Sequence, residues 1–153
     1  MSLHENQDRI EKVVELAAPV ERVWQAITDY KEFGEWFRVK LDSPFKVGEK
    51  TTGHITFPGH EDVQWESITE QMDPKRLFAF SWPPSAVDPD TDYGPEAKVY
   101  VEFRLESIEN GTRLTITESG FLQFPESKRL DVLRSCDTGW EIQAKNVTAY
   151  VEG

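Results

Sequence analysis

Residues 98–119 read KVYVEFRLESIENGTRLTITES, and the fold turns on how this stretch is read. Val99, Val101, Phe103 and Leu105 alternate with Lys98, Tyr100, Glu102 and Arg104. A period of two is the mark of a strand with one buried face. Asn110-Gly111 follows, the dipeptide that best tolerates the positive backbone angles of a tight hairpin turn. Beyond it, Leu114, Ile116 and Glu118 alternate against Arg113, Thr115, Thr117 and Ser119. The stretch therefore predicts two antiparallel strands that share an apolar face, with one carboxylate on that face.

The same texture extends upstream. Arg76–Trp82 places Phe78, Phe80 and Trp82 on one side, after an Asp73-Pro74-Lys75 turn. Val63–Met72 and Thr51–Phe57 read as strands separated by Pro58-Gly59-His60. Val39–Val47 is loosely extended, broken at Pro44 and closed by Gly48-Glu49. Earlier still, Arg9–Leu16 supports a strand, with Ile10, Val13, Val14 and Leu16 set among charges. Pro19 suits the first turn of a helix, where its missing N–H costs nothing. Val20, Val23, Trp24 and Ile27 then mark one helical face, and a second short helix covers Tyr30–Phe37.

Downstream of the hairpin, the turn at Phe121–Pro125 introduces a helix over Glu126–Val151. Its stripe is Leu130, Leu133, Cys136 or Asp137, Trp140, Ala144, Val147 and Val151, with Gly139 inside it. Strands joined by hairpins form an antiparallel sheet, and a sheet with one long helix must curl to bury both apolar faces. The expected architecture is α+β: a curved antiparallel sheet of about six to seven strands wrapped around a long C-terminal helix, with two short helices after the first strand. A single domain over residues 8–152, with a disordered tail at 1–7, accounts for the chain.

Composition narrows the function classes. The 153 residues carry a net charge of −11 and contain no Lys/Arg cluster. Phosphate backbones and anionic membrane surfaces repel such a chain, so no nucleic acid and no stable membrane insertion are expected. No apolar run approaches the ~18 residues of a membrane span. The polar opening MSLHENQDRIEK lacks a signal-peptide core, and the expected location is cytoplasmic. Cys136 is the only cysteine, so no intramolecular disulfide can form. No HExxH, GxSxG, phosphate-binding glycine loop or CxxC occurs.

Five Trp, nine Phe and four Tyr are a large aromatic load: either the core is unusually aromatic, or some rings line a cleft on the concave side. Its candidate lining is Phe78, Phe80 and Trp82, then Val101 and Phe103, then Ile116 and Glu118, with Trp36 and Trp140 closing the ends. Phe57, Trp65 and Phe121 complete the apolar set, and His54 is placed on the opposite wall. The competing reading of each ring is plain core packing. Glu118 on an apolar face predicts a raised pKa or a buried donor. Asp88, Asp90 and Asp92 before Gly94 resemble a calcium loop only faintly. The glycine falls one place late, and Val99 at the twelfth position cannot ligate, so no metal is expected. That Pro/Asp-rich loop, residues 83–96, could serve as a lid. Cys136 has no activating basic neighbour and reads as packing. No cofactor is expected.

Four strings carry a family resemblance: IEKVVELAAPVERVWQAITDYKEFGEWF, DPKRLFAFSW, NGTRLTITESGF and GWEIQAKNVTAYVE. They resemble the heat-shock-protein-90 ATPase activator homologue family, within the START and birch-pollen-allergen-like (SRPBCC) superfamily. The resemblance implies a helix-grip fold. It also implies a function among those of the superfamily, which holds lipid carriers, polyketide cyclases, plant hormone receptors and a co-chaperone domain. The leading expectation is binding or carriage of a lipid-like or aromatic, polyketide-like molecule between sheet and helix, without catalysis. Two alternatives stay open: a cyclase or hydrolase using Glu118 and His54 as acid and base, and a module that docks on a chaperone. A chaperone and a second copy of the chain are the macromolecular partners kept open.

Overall fold

The computed structural model describes residues 7–88 and 91–153. Strand β1 (Arg9–Leu16) leads into helices α1 (Val20–Thr28) and α2 (Tyr30–Phe37). Strands β2 (Val39–Leu41), β3 (Lys50–Ile55), β4 (Gln64–Asp73), β5 (Leu77–Trp82), β6 (Val99–Ile108) and β7 (Gly111–Ser119) follow, and helix α3 (Glu126–Glu152) ends the chain. Short 3₁₀ turns occupy Pro84–Ala86 and Phe121–Gln123. The described residues form one seven-stranded sheet in the order β1-β7-β6-β5-β4-β3-β2, every neighbouring pair antiparallel. The fold is α+β and helix-grip-like, as the alternation predicts. Of the predicted tail, Met1–Asn6 lie outside the described residues.

The hairpin register bears out the parity reading. Val101 stands opposite Glu118, Phe103 opposite Ile116 and Leu105 opposite Leu114. On the next strand Phe80 pairs with Val101 and Phe78 with Phe103. Glu70 is the extra residue of a bulge in β4, between Thr69 and Gln71. A bulge of this kind bends its strand and adds twist, which helps the sheet curl. β1 adds Ile10 and Leu16 to the inner face and leaves Val13 exposed. Lys12 shares the inner parity, opposite Ile116, and pairs with Asp137 of α3 at 3.0 Å.

Chain reversals have local causes. Asp29 ends α1 and caps α2, its carboxylate accepting from the N–H groups of Lys31 and Glu32 at 2.9 and 3.1 Å. Those two N–H groups would otherwise lack helical partners. Gly34 costs α2 about 1 kcal/mol in propensity, yet a Cβ there would stand 2.4 Å from the Val39 carbonyl oxygen. Only glycine lets α2 lie this close to β2. Glu32 ties the three helices together: it accepts from Arg22 at 2.6 Å and from the Tyr150 hydroxyl at 2.9 Å.

α3 lies in the concavity. Phe78, Phe80, Val101, Phe103 and Ile116 of the sheet are fully buried, together with Leu133 and Val147 of α3. Phe33 from α2 sits among them, its ring 4.7 Å from Trp36, 5.1 Å from Phe37 and 5.7 Å from Trp65. Of the two readings, cleft or packed core, the second describes the α2 end, which Phe33 and Trp36 fill. Among the described residues, no helix is long and apolar enough to cross a membrane.

Candidate functional site

At the other end of the concavity a cavity of about 270 Å³ remains. β5 delivers Trp82, its last residue, and β7 delivers Glu118, its penultimate one. α2 contributes Phe37, and the segment after β5 contributes Ala86 and Val87. α3 presents Cys136, Trp140 and Gln143, four and three residues apart and so on one face, with Ser135 and Gly139 beside them. A Cβ on Gly139 would meet nothing within 4 Å. The space exists because this part of α3 carries small side chains.

Two indoles and one carboxylate organise the site. The Trp82 and Trp140 rings lie nearly parallel, at 19°, with centroids 6.1 Å apart. The Trp140 Nε1–H donates to Glu118 Oε1 at 2.8 Å, and the Trp82 Nε1–H donates to Glu118 Oε2 at 3.0 Å. An indole N–H is a donor only, so a buried indole needs an acceptor. Glu118 supplies one to each ring and is itself only 1% exposed. Burial pushes its carboxyl up to about 7; the two indole donors and the Cys136 thiol pull against that shift without cancelling it. The Cys136 thiol is pushed up in turn, by burial first and then by the Glu118 charge. A thiolate is disfavoured there.

The segment after β5 is fastened to α3. Asp88 accepts from the Tyr93 hydroxyl at 2.5 Å and from Lys128 Nζ at 3.4 Å, and Lys128 also donates to Thr91 at 2.6 Å. The Tyr93 hydrogen bond, more than Lys128, holds the Asp88 carboxyl below its usual range. Asp92 turns onto the Gly94 N–H at 2.9 Å. Asp90, the middle residue of the acidic triplet, lies outside the described residues. Among the described residues, no group of three or more His, Cys, Asp or Glu side chains could hold a metal ion.

The family model described as Activator of Hsp90 ATPase homolog 1-like protein matches residues 17–152. The chain belongs to this family. No functionally curated protein matches it. Among solved structures, protein MLL2253 from Mesorhizobium loti is 19% identical with a TM-score of 0.73, over 94% of this chain and 96% of that one. The Aha1 dimer from Colwellia psychrerythraea is 20% identical with a TM-score of 0.72, over 95% and 97%. DynU16, a putative protein in the dynemicin biosynthetic locus, is 23% identical with a TM-score of 0.73; the match covers 95% of this chain and 48% of DynU16. At these identities the likeness establishes the family's fold and nothing about a ligand.

On that fold the predicted site residues separate into groups. Trp82, Glu118 and Trp140 line the cavity. Trp65 backs it, in edge contact with Trp82 at 5.3 Å and Phe37 at 5.2 Å, while its own N–H donates to Ser67. Phe78, Phe80, Val101, Phe103 and Ile116 pack the solid core. Trp36 is also there, turned under α1 with its N–H on the Ala26 carbonyl at 2.9 Å. Phe121 is buried against Phe124 at the start of α3. His54 is half-buried on β3, opposite Lys40 and Gln64, and is not among the cavity residues. Phe57 is 51% exposed beside His60 in the β3–β4 connection. Phe37, Val87, Cys136 and Gln143 line the cavity without having been singled out for it. The helical spacing of Cys136, Trp140 and Gln143 was the available signal.

Proposed function

We propose that this chain binds a compact, largely apolar small molecule in the cavity between β5, β7 and α3. The observation that carries the reading is a space of about 270 Å³ walled by Phe37, Trp82 and Trp140, with Glu118 as its one acid among the described residues. Ligand pockets are concave and mostly apolar, with a few convergent polar groups, and usually enclose about 300–1,000 Å³. A volume near the lower bound favours a molecule of one or two rings over a long acyl chain. Binding is favoured over turnover. Both Glu118 oxygens already accept indole protons, the Cys136 thiolate is disfavoured, and His54 is elsewhere. The acid–base pairing of Glu118 with His54 therefore has no geometric support.

Titration with neutral one- and two-ring aromatic compounds, followed by tryptophan fluorescence, tests the proposal. A saturable change that is lost in Cys136→Phe, which fills the cavity, is the expected result. Binding that survives Cys136→Phe unchanged would move the site elsewhere. The family description favours a second reading, a module that docks on a chaperone. It predicts co-purification with an Hsp90-type chaperone that persists in the same variant.

A further inference from the structure

Glu118 is a buried carboxylate with no cation of its own. Among the described residues no Lys, Arg or His pairs with it, and none lines the cavity. Among the described residues, the groups placed against it are apolar or uncharged. β1 places Ile10 and β6 places Val101 opposite it, β5 brings Trp82, and α3 brings Trp140 and the Cys136 thiol. Lys12, on the same face of β1 as Ile10, is paired with Asp137 at 3.0 Å. Lys128, at the start of α3, is held by Asp88 and Thr91.

Three further observations have the same sign. A carboxylate offers about four lone-pair positions, and the two indoles use two of them. Phe37, Trp82 and Trp140 line the cavity, and aromatic rings attract cations at their faces. The whole chain carries −11, which draws cations and repels anions on approach. A fatty-acid or other carboxylate ligand would bring a second anion onto a buried one and find no basic partner.

We infer that the occupant of this cavity is a compact amine, its ammonium set on a Glu118 lone pair that the indoles leave free and its apolar body against the Phe37, Trp82 and Trp140 rings. This rests on the proposal that the cavity binds a small molecule at all, and it replaces the lipid-like ligand of the sequence reading with a cation. A proton linkage follows. Glu118 with its carboxyl near 7 is partly protonated at neutral pH, and an ammonium admits only the carboxylate. Binding at pH 7 should release a fraction of a proton, and amine affinity should fall as pH drops below 7, approaching about tenfold per pH unit.

The experiment compares 2-phenylethylamine, 2-phenylethanol and 3-phenylpropionate, probes that share a body and differ in the polar group. Calorimetry is run in two buffers of different ionisation enthalpy at pH 7 and 9. The expected result is amine tighter than alcohol by tenfold or more, no measurable binding of the carboxylate, and proton release for the amine at pH 7 that vanishes at pH 9. Glu118→Gln should collapse the amine-to-alcohol ratio toward one; if that variant does not fold, proton release by the wild type decides the matter alone. Equal affinity for the three probes would overturn the amine assignment and leave the cavity proposal standing. No binding of any probe would overturn both.

Discussion

At the α2 end of the concavity the Phe33 ring has six aromatic neighbours at 4.7–6.4 Å. At the other end Trp82 and Trp140 stand 6.1 Å apart beside about 270 Å³ of space. Both ends use the same strands: β5 puts Phe78 and Phe80 in the first and Trp82 in the second. One strand supplies rings to both ends, so the difference comes from the helices. α2 fills its end with Phe33 and Trp36, whereas α3 offers Ser135, Cys136 and Gly139 at the open one. A cavity in this fold is made by what the helix withholds.

Truncation at the solid end should have the largest effect. Phe33→Ala removes a fully buried ring and should cost about 3–5 kcal/mol, read from urea unfolding midpoints. A cost under 1 kcal/mol would mean that the end is loosely packed and the contrast false.

The open end should instead show itself in pH dependence. The Glu118 carboxyl is raised from its ordinary 4.5 to about 7 in the fold. Below 4.5 it is protonated in both states; between 4.5 and 7 the folded chain binds the extra proton. This residue's contribution to stability is therefore full at low pH and lost as pH rises toward 7, by on the order of 3 kcal/mol. Subtracting the stability profile of Glu118→Gln from that of the wild type should reveal the loss. A flat difference between pH 4.5 and 7.5 would mean that Glu118 is not desolvated.

One substitution made at both ends should have opposite signs. Gly34→Ala drives a Cβ to 2.4 Å from the Val39 carbonyl and should destabilise by about 1–3 kcal/mol. Gly139→Ala adds its methyl to open space within a helix and should stabilise by about 0.5–1 kcal/mol. Equal signs in thermal unfolding would contradict the difference in packing.

How much of this was legible depends on whether it is periodic. The strand faces were, because parity alone puts Phe78, Phe80 and Trp82 together and sets Glu118 on the side of Leu114 and Ile116. The element order was legible too, from Asn110-Gly111 and the Gly/Pro punctuation between strands. The cavity was not, because periodicity says which way a side chain points and not whether anything meets it. Trp36 and Trp140 both point inward, yet one N–H ends on the Ala26 carbonyl and the other on Glu118, 22 residues away. Val87 lies in a loop with no repeat to place it. Lys12 breaks the apolar alternation of β1, and only its partner Asp137 on α3 explains its inward position.

The central claim is that ligands enter the open end and no other place. Nitrogen–proton correlation spectra resolve the indole N–H signals of the tryptophans, which report on both ends at once. On titration with 2-phenylethylamine, the account predicts that the Trp82 and Trp140 signals shift and saturate together while those of Trp24 and Trp36 stay in place. Shifts at Trp36 with Trp82 and Trp140 unmoved would contradict it.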